Sequence, residues 1–390
     1  MNLPLLLLTL CQGFLLINNV TFIAINGLVG LALAPSPWLA TLPVTAYVAG
    51  AALSAGMVAR HQRAWGRRRA FQLGTLVAIA STGLCAWGAS VHSFWIVVAG
   101  TLCAGYYAAN GGLYRFAATE IVTPAFKERA ISWVLAGGIL GAVVGPNLAS
   151  HTRDLLPTPF AAAYLALVAI ALLAFLTLQF IRFPPLPLPS AERPGRPLAV
   201  LVRQPVFVVA VAACALGYGV MNLLMAATPI AMAMCSHPFA NTALVLEWHV
   251  LGMFVPGFFT GNLIRRVGAL PVMAVGVLLN ILCIAVALSG VELMRFVIAL
   301  LVLGIGWNFL FVGGTTLFIE AYRPEEKTSA QASMDTVIFT TMAITSFSSG
   351  ALVTTQGWNW LNLGSVVPIA ACGAAIGWLA WRRRATARLA

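Results

Sequence analysis

The sequence predicts an all-α integral membrane protein: twelve transmembrane helices in two six-helix pseudo-repeats. Three observations carry that expectation. Of 390 residues, 61% are hydrophobic and only 8% charged, with mean hydropathy +0.93, whereas soluble domains carry about a quarter charged residues. Apolar runs long enough to cross a bilayer, about 20 residues each, recur along the whole chain. The 22 Lys and Arg side chains are parcelled out between those runs. A net charge of +12 therefore does not describe a nucleic-acid binder, which needs its cations gathered on one folded face.

Taken in order, the spans cover about residues 4–31, 37–58, 70–90, 95–116, 131–150, 159–181, 206–231, 243–263, 270–289, 295–318, 332–353 and 361–381. The first has no basic n-region and no small-residue cleavage site, so it reads as an uncleaved span rather than a signal peptide. Spans 2 and 3 are separated by Arg60, Arg63, Arg67, Arg68 and Arg69, and spans 4 and 5 by Arg115, Lys127 and Arg129. Arg182, Arg193, Arg196 and Arg203 follow span 6, Arg265 and Arg266 span 8, and Arg323 and Lys327 span 10. With the tail Arg382 to Arg388, these loops hold all of the basic residues except Arg153 and Arg295. Short cytoplasmic loops accumulate Lys and Arg, which places both termini in the cytoplasm. The seven cysteines are odd in number, form no CxxC pair and mostly sit inside apolar runs, unlike a disulfide or zinc framework.

The domain reading is an N-terminal bundle over 1–182, a cytoplasmic linker over 183–205 and a C-terminal bundle over 206–390. Pro184, Pro185, Pro187, Pro189, Pro194 and Pro197 make the linker a semi-rigid tether. A weak repeat supports the two halves. Gly111, Gly112, Glu120, Pro124 and Lys127 recur as Gly313, Gly314, Glu320, Pro324 and Lys327, and Gly56 to Gly66 is echoed by Gly261 to Gly268.

Candidate functional residues concentrate on spans 7 and 8. Met221 and Met225 stand at i, i+4, as do His249 and Met253, a spacing that stacks two side chains on one helical face. Counted inward at 1.5 Å per residue, His249 falls roughly 10 Å down, Met225 and Met253 about 15 Å, and Met221 about 20 Å, a descending ladder. Cys235 and His237 would sit at the outer mouth. Thioether, imidazole and thiol are the soft or borderline ligands that select Cu(I). A hard cation would want a carboxylate cage, and few acids fall inside the spans. Methionine is also a common filler of apolar helices, the plainer account of either pair alone.

The six-plus-six arrangement, the repeat and the glycine-basic loops Gly261 to Gly268 and Gly66-Arg67-Arg68 resemble the major facilitator superfamily, whose bundles rock about a central site. Arg60 and Arg265 stand where that family usually has an acidic residue. Within it, MxxxM on span 7 and HxxxM on span 8 resemble the motifs of CcoA-like copper importers, a bacterial branch also similar to riboflavin transporters. The resemblance implies an inner-membrane carrier importing copper, most simply as Cu(I), by alternating access, to supply cytochrome oxidase assembly. Met221, Met225, His249 and Met253 would then bind the ion, copper chaperones would be partners, and copper would be cargo, with no resident cofactor.

Other readings stay open. Asn18, Asn110, Asn222 and Asn308 are amides in hydrocarbon on spans 1, 4, 7 and 10, from which facilitator cavities are lined, although interhelical hydrogen bonds explain most such residues. With Trp307, Tyr106 and Tyr107 they would suit riboflavin or another small organic molecule. Glu247 and Asp335, acids within or near the membrane, are candidates for proton coupling. Gly141 to Pro146 resembles part of an antiporter motif and would fit proton-coupled drug efflux, with small-residue packing as the alternative. No phosphate loop, GxSxG elbow or soluble catalytic domain is present, so the reading is not an enzyme.

Overall fold

The computed structural model describes residues 2–123, 126–184 and 196–389. Pro124, Pro185, Pro187, Pro189, Arg193 and Pro194, which figure in the repeat and linker readings, lie outside the described residues.

Backbone groups in hydrocarbon must be satisfied internally, and a helix does this within one segment. Helix α1 (Leu3–Leu33) opens with the Asn2 side chain accepting the Leu5 amide, an N-cap that satisfies one orphan donor. It is followed by α2 (Leu42–Ser90), α3 (Phe94–Gly111), α4 (Tyr114–Glu120), α5 (Lys127–Ala136), α6 (Gly138–Thr152) and α7 (Ala161–Gln179). A single short turn, α8 (Leu198–Leu201), precedes α9 (Pro205–Met234), α10 (Phe239–Phe254), α11 (Gly257–Val267), α12 (Ala269–Leu288), α13 (Leu293–Ile319), α14 (Lys327–Thr355) and α15 (Gly357–Leu389). Among the described residues ten helices are long and apolar enough to cross a membrane, or eleven when α10 and α11, bent by 40°, count as one span. The remaining crossing is folded into α2. Its 49 residues would reach about 74 Å if straight, more than twice the hydrocarbon thickness, and the helix breaks at Gly66 (φ 77°, ψ 168°). Predicted spans 2 and 3 are its two arms.

Gly268 repeats that break with φ 91° and ψ 163°. Only glycine occupies this region without strain, so the sequence echo is also a backbone echo. Close helix approach uses glycine differently. A Cβ at Gly50 would overlap the Leu102 carbonyl, and one at Gly105 would overlap the Ala51 amide, which is how α3 lies directly on the first arm of α2. Gly141 is likewise pressed against Leu16, and the Thr21 hydroxyl donates to the Gly145 carbonyl at 3.0 Å. The Gly141 to Pro146 run is thus a packing face of α6 against α1. Outward stripes such as Leu172, Leu173 and Leu176 on α7, and Leu278, Ile281 and Leu282 on α12, are exposed where lipid would cover them.

Several spans are broken where proline or glycine falls. Pro256 ends α10, because a proline has no amide to continue the ladder, and beside that break Asn308 on α13 donates to the Met253 carbonyl at 2.8 Å. The contacts joining residues 1–182 to 206–390 gather at the end remote from the basic loops. There Thr41 donates to the Ser346 carbonyl at 2.7 Å and accepts the Gly350 amide at 3.0 Å. Asn147 donates to Glu247 at 2.8 Å, and the rings of Phe160 and Phe239 meet edge to face at 5.0 Å. At the basic end Asp335, eight residues into α14, and Arg115 on α4 are both exposed, although each feels the other's charge across the interface. The hydrogen bonds and ring contacts named here between the two halves thus lie at the remote end.

Candidate transport site

The four soft donors occupy adjoining depths on α9 and α10. Met225 lies nine residues below the end of α9 and His249 ten below the start of α10, about 14 and 15 Å, while Met221 and Met253 lie about 20 and 21 Å down. The expected ladder is therefore two level pairs. The difference arises because α10 begins at Phe239, a full turn before the predicted edge. His249 is fully buried, and Met221, Met225 and Met253 are no more than 7% exposed and share one apolar cluster. Helix α10 packs chiefly on α13 and α6, and only lightly on α9.

His249 carries the most informative hydrogen bond of the set. Its Nδ1 lies 2.7 Å from the Leu300 carbonyl on α13. A carbonyl only accepts, so Nδ1 holds the proton and the neutral ring keeps its lone pair on Nε2. That atom is buried without a hydrogen-bond partner. A ligating histidine is commonly oriented in this way, through the other nitrogen. Among the described residues no group of three or more His, Cys, Asp or Glu converges as a metal site, so any soft-metal site here depends on thioethers. Pro229 adds a local distortion: it supplies no amide to the Met225 carbonyl one turn earlier.

The outer-mouth residues are placed apart from that set. Cys235 caps the end of α9, half-buried, and burial pushes its thiol above the ordinary value, which keeps it from the thiolate form that binds metals. His237 spends one ring nitrogen on the Val291 carbonyl at 2.7 Å.

The asparagines divide by function. Asn222 donates to the Met342 carbonyl at 3.0 Å, tying α9 to α14. Asn308 bonds Met253 and accepts from the Thr260 hydroxyl at 2.7 Å. Asn110 donates to the Ala70 carbonyl at 2.7 Å and accepts from Gln62 at 2.8 Å. These three are occupied by the fold. Asn18, in the middle of α1, is 2% exposed and neither side-chain atom has a hydrogen-bond partner. A buried amide left in this way calls for a ligand or water.

Trp307 proves to be the centre of an aromatic slab. It stacks on Phe311 one turn later at 5.1 Å and 9°, and Tyr218 of α9 stands edge-on to both rings at 5.1 and 5.6 Å. The indole Nε1 is buried without a hydrogen-bond partner, while Tyr218 and Phe311 are only half-buried. The structure thus supplies partners the sequence reading missed; their signal was the i, i+4 spacing of Trp307 with Phe311 and of Tyr218 with Asn222. Tyr107 is buried in a cluster with Tyr114 and Phe71, its hydroxyl without a hydrogen-bond partner. Tyr106 bonds His61 at 2.7 Å, and His61 stacks on Trp65.

Comparison with known proteins places this architecture. A model of the Major Facilitator Superfamily matches residues 5–246. The chain belongs to that superfamily. The riboflavin transporter RfnT of Brucella anthropi is 41% identical over 94% of this chain and 92% of its own length. The uncharacterized MFS-type transporter YdeG of Bacillus subtilis is 28% identical over 83% of the chain and 79% of its own. Among solved structures, a point mutant of the nucleoside transporter NupG superposes with TM-score 0.75 at 12% identity, covering 96% of this chain and 98% of that one, which bears on the fold alone. The facilitator architecture of the sequence reading holds, and the protein is a multi-pass transporter. The copper branch of that reading finds no counterpart among these relatives.

Proposed function

We propose that this facilitator takes up riboflavin, or a closely related flavin, by alternating access, and that the Tyr218, Trp307 and Phe311 slab receives the isoalloxazine ring. The carrying observation is the unsatisfied indole Nε1 of Trp307 beside two half-buried rings: flat aromatic surface with one free donor suits a heterocycle rich in acceptors. Near full-length likeness to a riboflavin transporter supports it. Asn18 offers a second free amide, and Asp335 facing Arg115 is a candidate for proton coupling, with Glu247 as the other. Both termini and the arginine-rich loops are assigned to the cytoplasm of a bacterial inner membrane.

The test is uptake of labelled riboflavin into proteoliposomes holding only this protein. Trp307→Ala lowers uptake about tenfold, as loss of a stacked base does elsewhere, and Trp307→Phe retains most of it. Equal uptake by all three proteins, at equal membrane abundance, rejects the assignment.

A second reading rests on a different observation, the free Nε2 lone pair of His249 at the depth of Met225. In it copper, as Cu(I), is the cargo of Met221, Met225, His249 and Met253, delivered to chaperones for cytochrome oxidase assembly. Copper flux lost in His249→Ala with riboflavin uptake intact would favour this reading; the reverse pattern would exclude it.

A further inference from the structure

At the remote end, outside the closed contacts between the two halves, lies a cavity of about 330 Å³. It begins one helical turn beyond Met225, at Pro229, and is separate from the aromatic slab deeper in the protein. Both halves of the chain line it. His92, Arg153 and Phe160 come from residues 1–182, and His237 and Phe239 from 206–390. The volume is at the lower edge of what small-ligand pockets occupy, about 300–1,000 Å³.

Its charge is one-sided. The lining includes a guanidinium and two imidazoles and no carboxylate. Arg153 lies 5.6 Å over the Phe160 ring and 6.0 Å over the Phe239 ring, so the cation is placed against the aromatic pair. Its acid neighbour is Asp154, whose carboxylate stands 3.5 Å from Arg153 Nε in an ion pair with side chains 39% and 74% exposed, a wet pair of little strength. A guanidinium whose only acid neighbour is a solvent-exposed aspartate, beside aromatic rings, suits a planar molecule bearing phosphate or carboxylate.

We propose that this outer vestibule is a binding site for aromatic anions, with Arg153 as the anion-binding residue and Phe160 and Phe239 as the ring platform. The shared chemistry is an anionic phosphate ester at Arg153, carried either by a free aromatic solute such as a phosphorylated flavin, whose ring the platform receives, or by an anionic lipid headgroup reaching in from the outer leaflet. Because both halves line it, occupancy holds the remote end closed.

The site is tested by calorimetric titration of the full-length protein in phosphatidylcholine nanodiscs, which needs no transport and so is independent of the flavin reading. Phenyl phosphate and flavin mononucleotide bind the parent; phenol, the uncharged counterpart of phenyl phosphate, does not. Arg153→Gln weakens phenyl phosphate binding about tenfold, the loss of one charge-assisted contact, and Arg153→Lys keeps most of it, with melting temperatures unchanged in both. Binding that disappears as phosphatidylglycerol replaces phosphatidylcholine supports the site and assigns it to lipid. No heat from phenyl phosphate, or equal binding by parent and Arg153→Gln, overturns it. Should riboflavin uptake fail while phenyl phosphate still binds, the vestibule stands and only the flavin reading falls.

Discussion

The two glycine breaks, at Gly66 and Gly268, have the same backbone and opposite surroundings. After Gly66 comes Arg67, which grips Glu120 through two hydrogen bonds of 2.6 and 3.1 Å and reaches Gln62. Gln62 continues to Asn110, and Asn110 to the Ala70 carbonyl. Counted from the matching glycines, the second half has Ile264, Ala269 and Val312 where the first has Gln62, Arg67 and Asn110. Those three belong to a small apolar cluster with Val272 and Phe309. Glu320, left without an arginine at position 269, pairs instead with Arg383 on α15 at 2.6 Å. One fold repeat is thus fastened by a connected polar network and its mate by apolar contact. The repeat specifies where two helix ends meet and leaves the chemistry of the joint open.

Burial makes the two joints unequal in energy. Arg67 and Glu120 are 13% and 22% exposed, against 41% and 50% for Arg383 and Glu320. The sharpest break of the comparison is Arg67→Ala, which strands a half-buried carboxylate and costs about 2–3 kcal/mol. Arg383→Ala costs less than about 1 kcal/mol, as exposed pairs do. Thermal unfolding in detergent measures both; equal losses would show that the networks do not differ in kind. Next in size, Gly66→Ala and Gly268→Ala should each cost about 1–2 kcal/mol, since both force a Cβ into a glycine-only conformation. A loss at one position alone would mean the shared backbone is not shared in its demands.

The smallest effect concerns the carboxylate on the turn after α13. Glu326 is buried and takes hydrogen bonds from the Arg196 guanidinium at 2.7 and 2.8 Å and from the amides of Arg196 and Arg323. These hold its pKa at about 2, below the usual 4.5. A depressed acid contributes its stability above the free value and loses it as pH falls through the folded one. Docking of the Arg196 segment is therefore intact above about pH 4.5 and released as pH falls toward 2. Amide exchange across residues 198–204 reports this, and release already complete at pH 5 would contradict it.

Much of this protein was legible before any coordinate. Composition dictated the membrane and run length the spans, because the bilayer as solvent leaves so few alternatives. The repeat was legible too, and Gly66 and Gly268 bear it out in their φ and ψ. The candidate site was legible only as residue types. Met221, Met225, His249 and Met253 could be placed by depth, yet the free Nε2 of His249 depends on the Leu300 carbonyl of α13, fifty-one positions away. Likewise Asn110 and Asn308 looked like cavity amides and turn out to be consumed by Ala70 and Met253. Trp307 was singled out, but its slab required α9 to bring Tyr218 alongside.

What the amino acids determined alone was therefore everything governed by transfer between water and hydrocarbon, a property each residue carries with it. What only tertiary packing decided was which polar atoms remain without a partner, since a hydrogen bond is used or left open according to which carbonyl another helix presents within about 3 Å. The same packing joined the loops of both halves around Arg153, and with them formed the vestibule at the remote end.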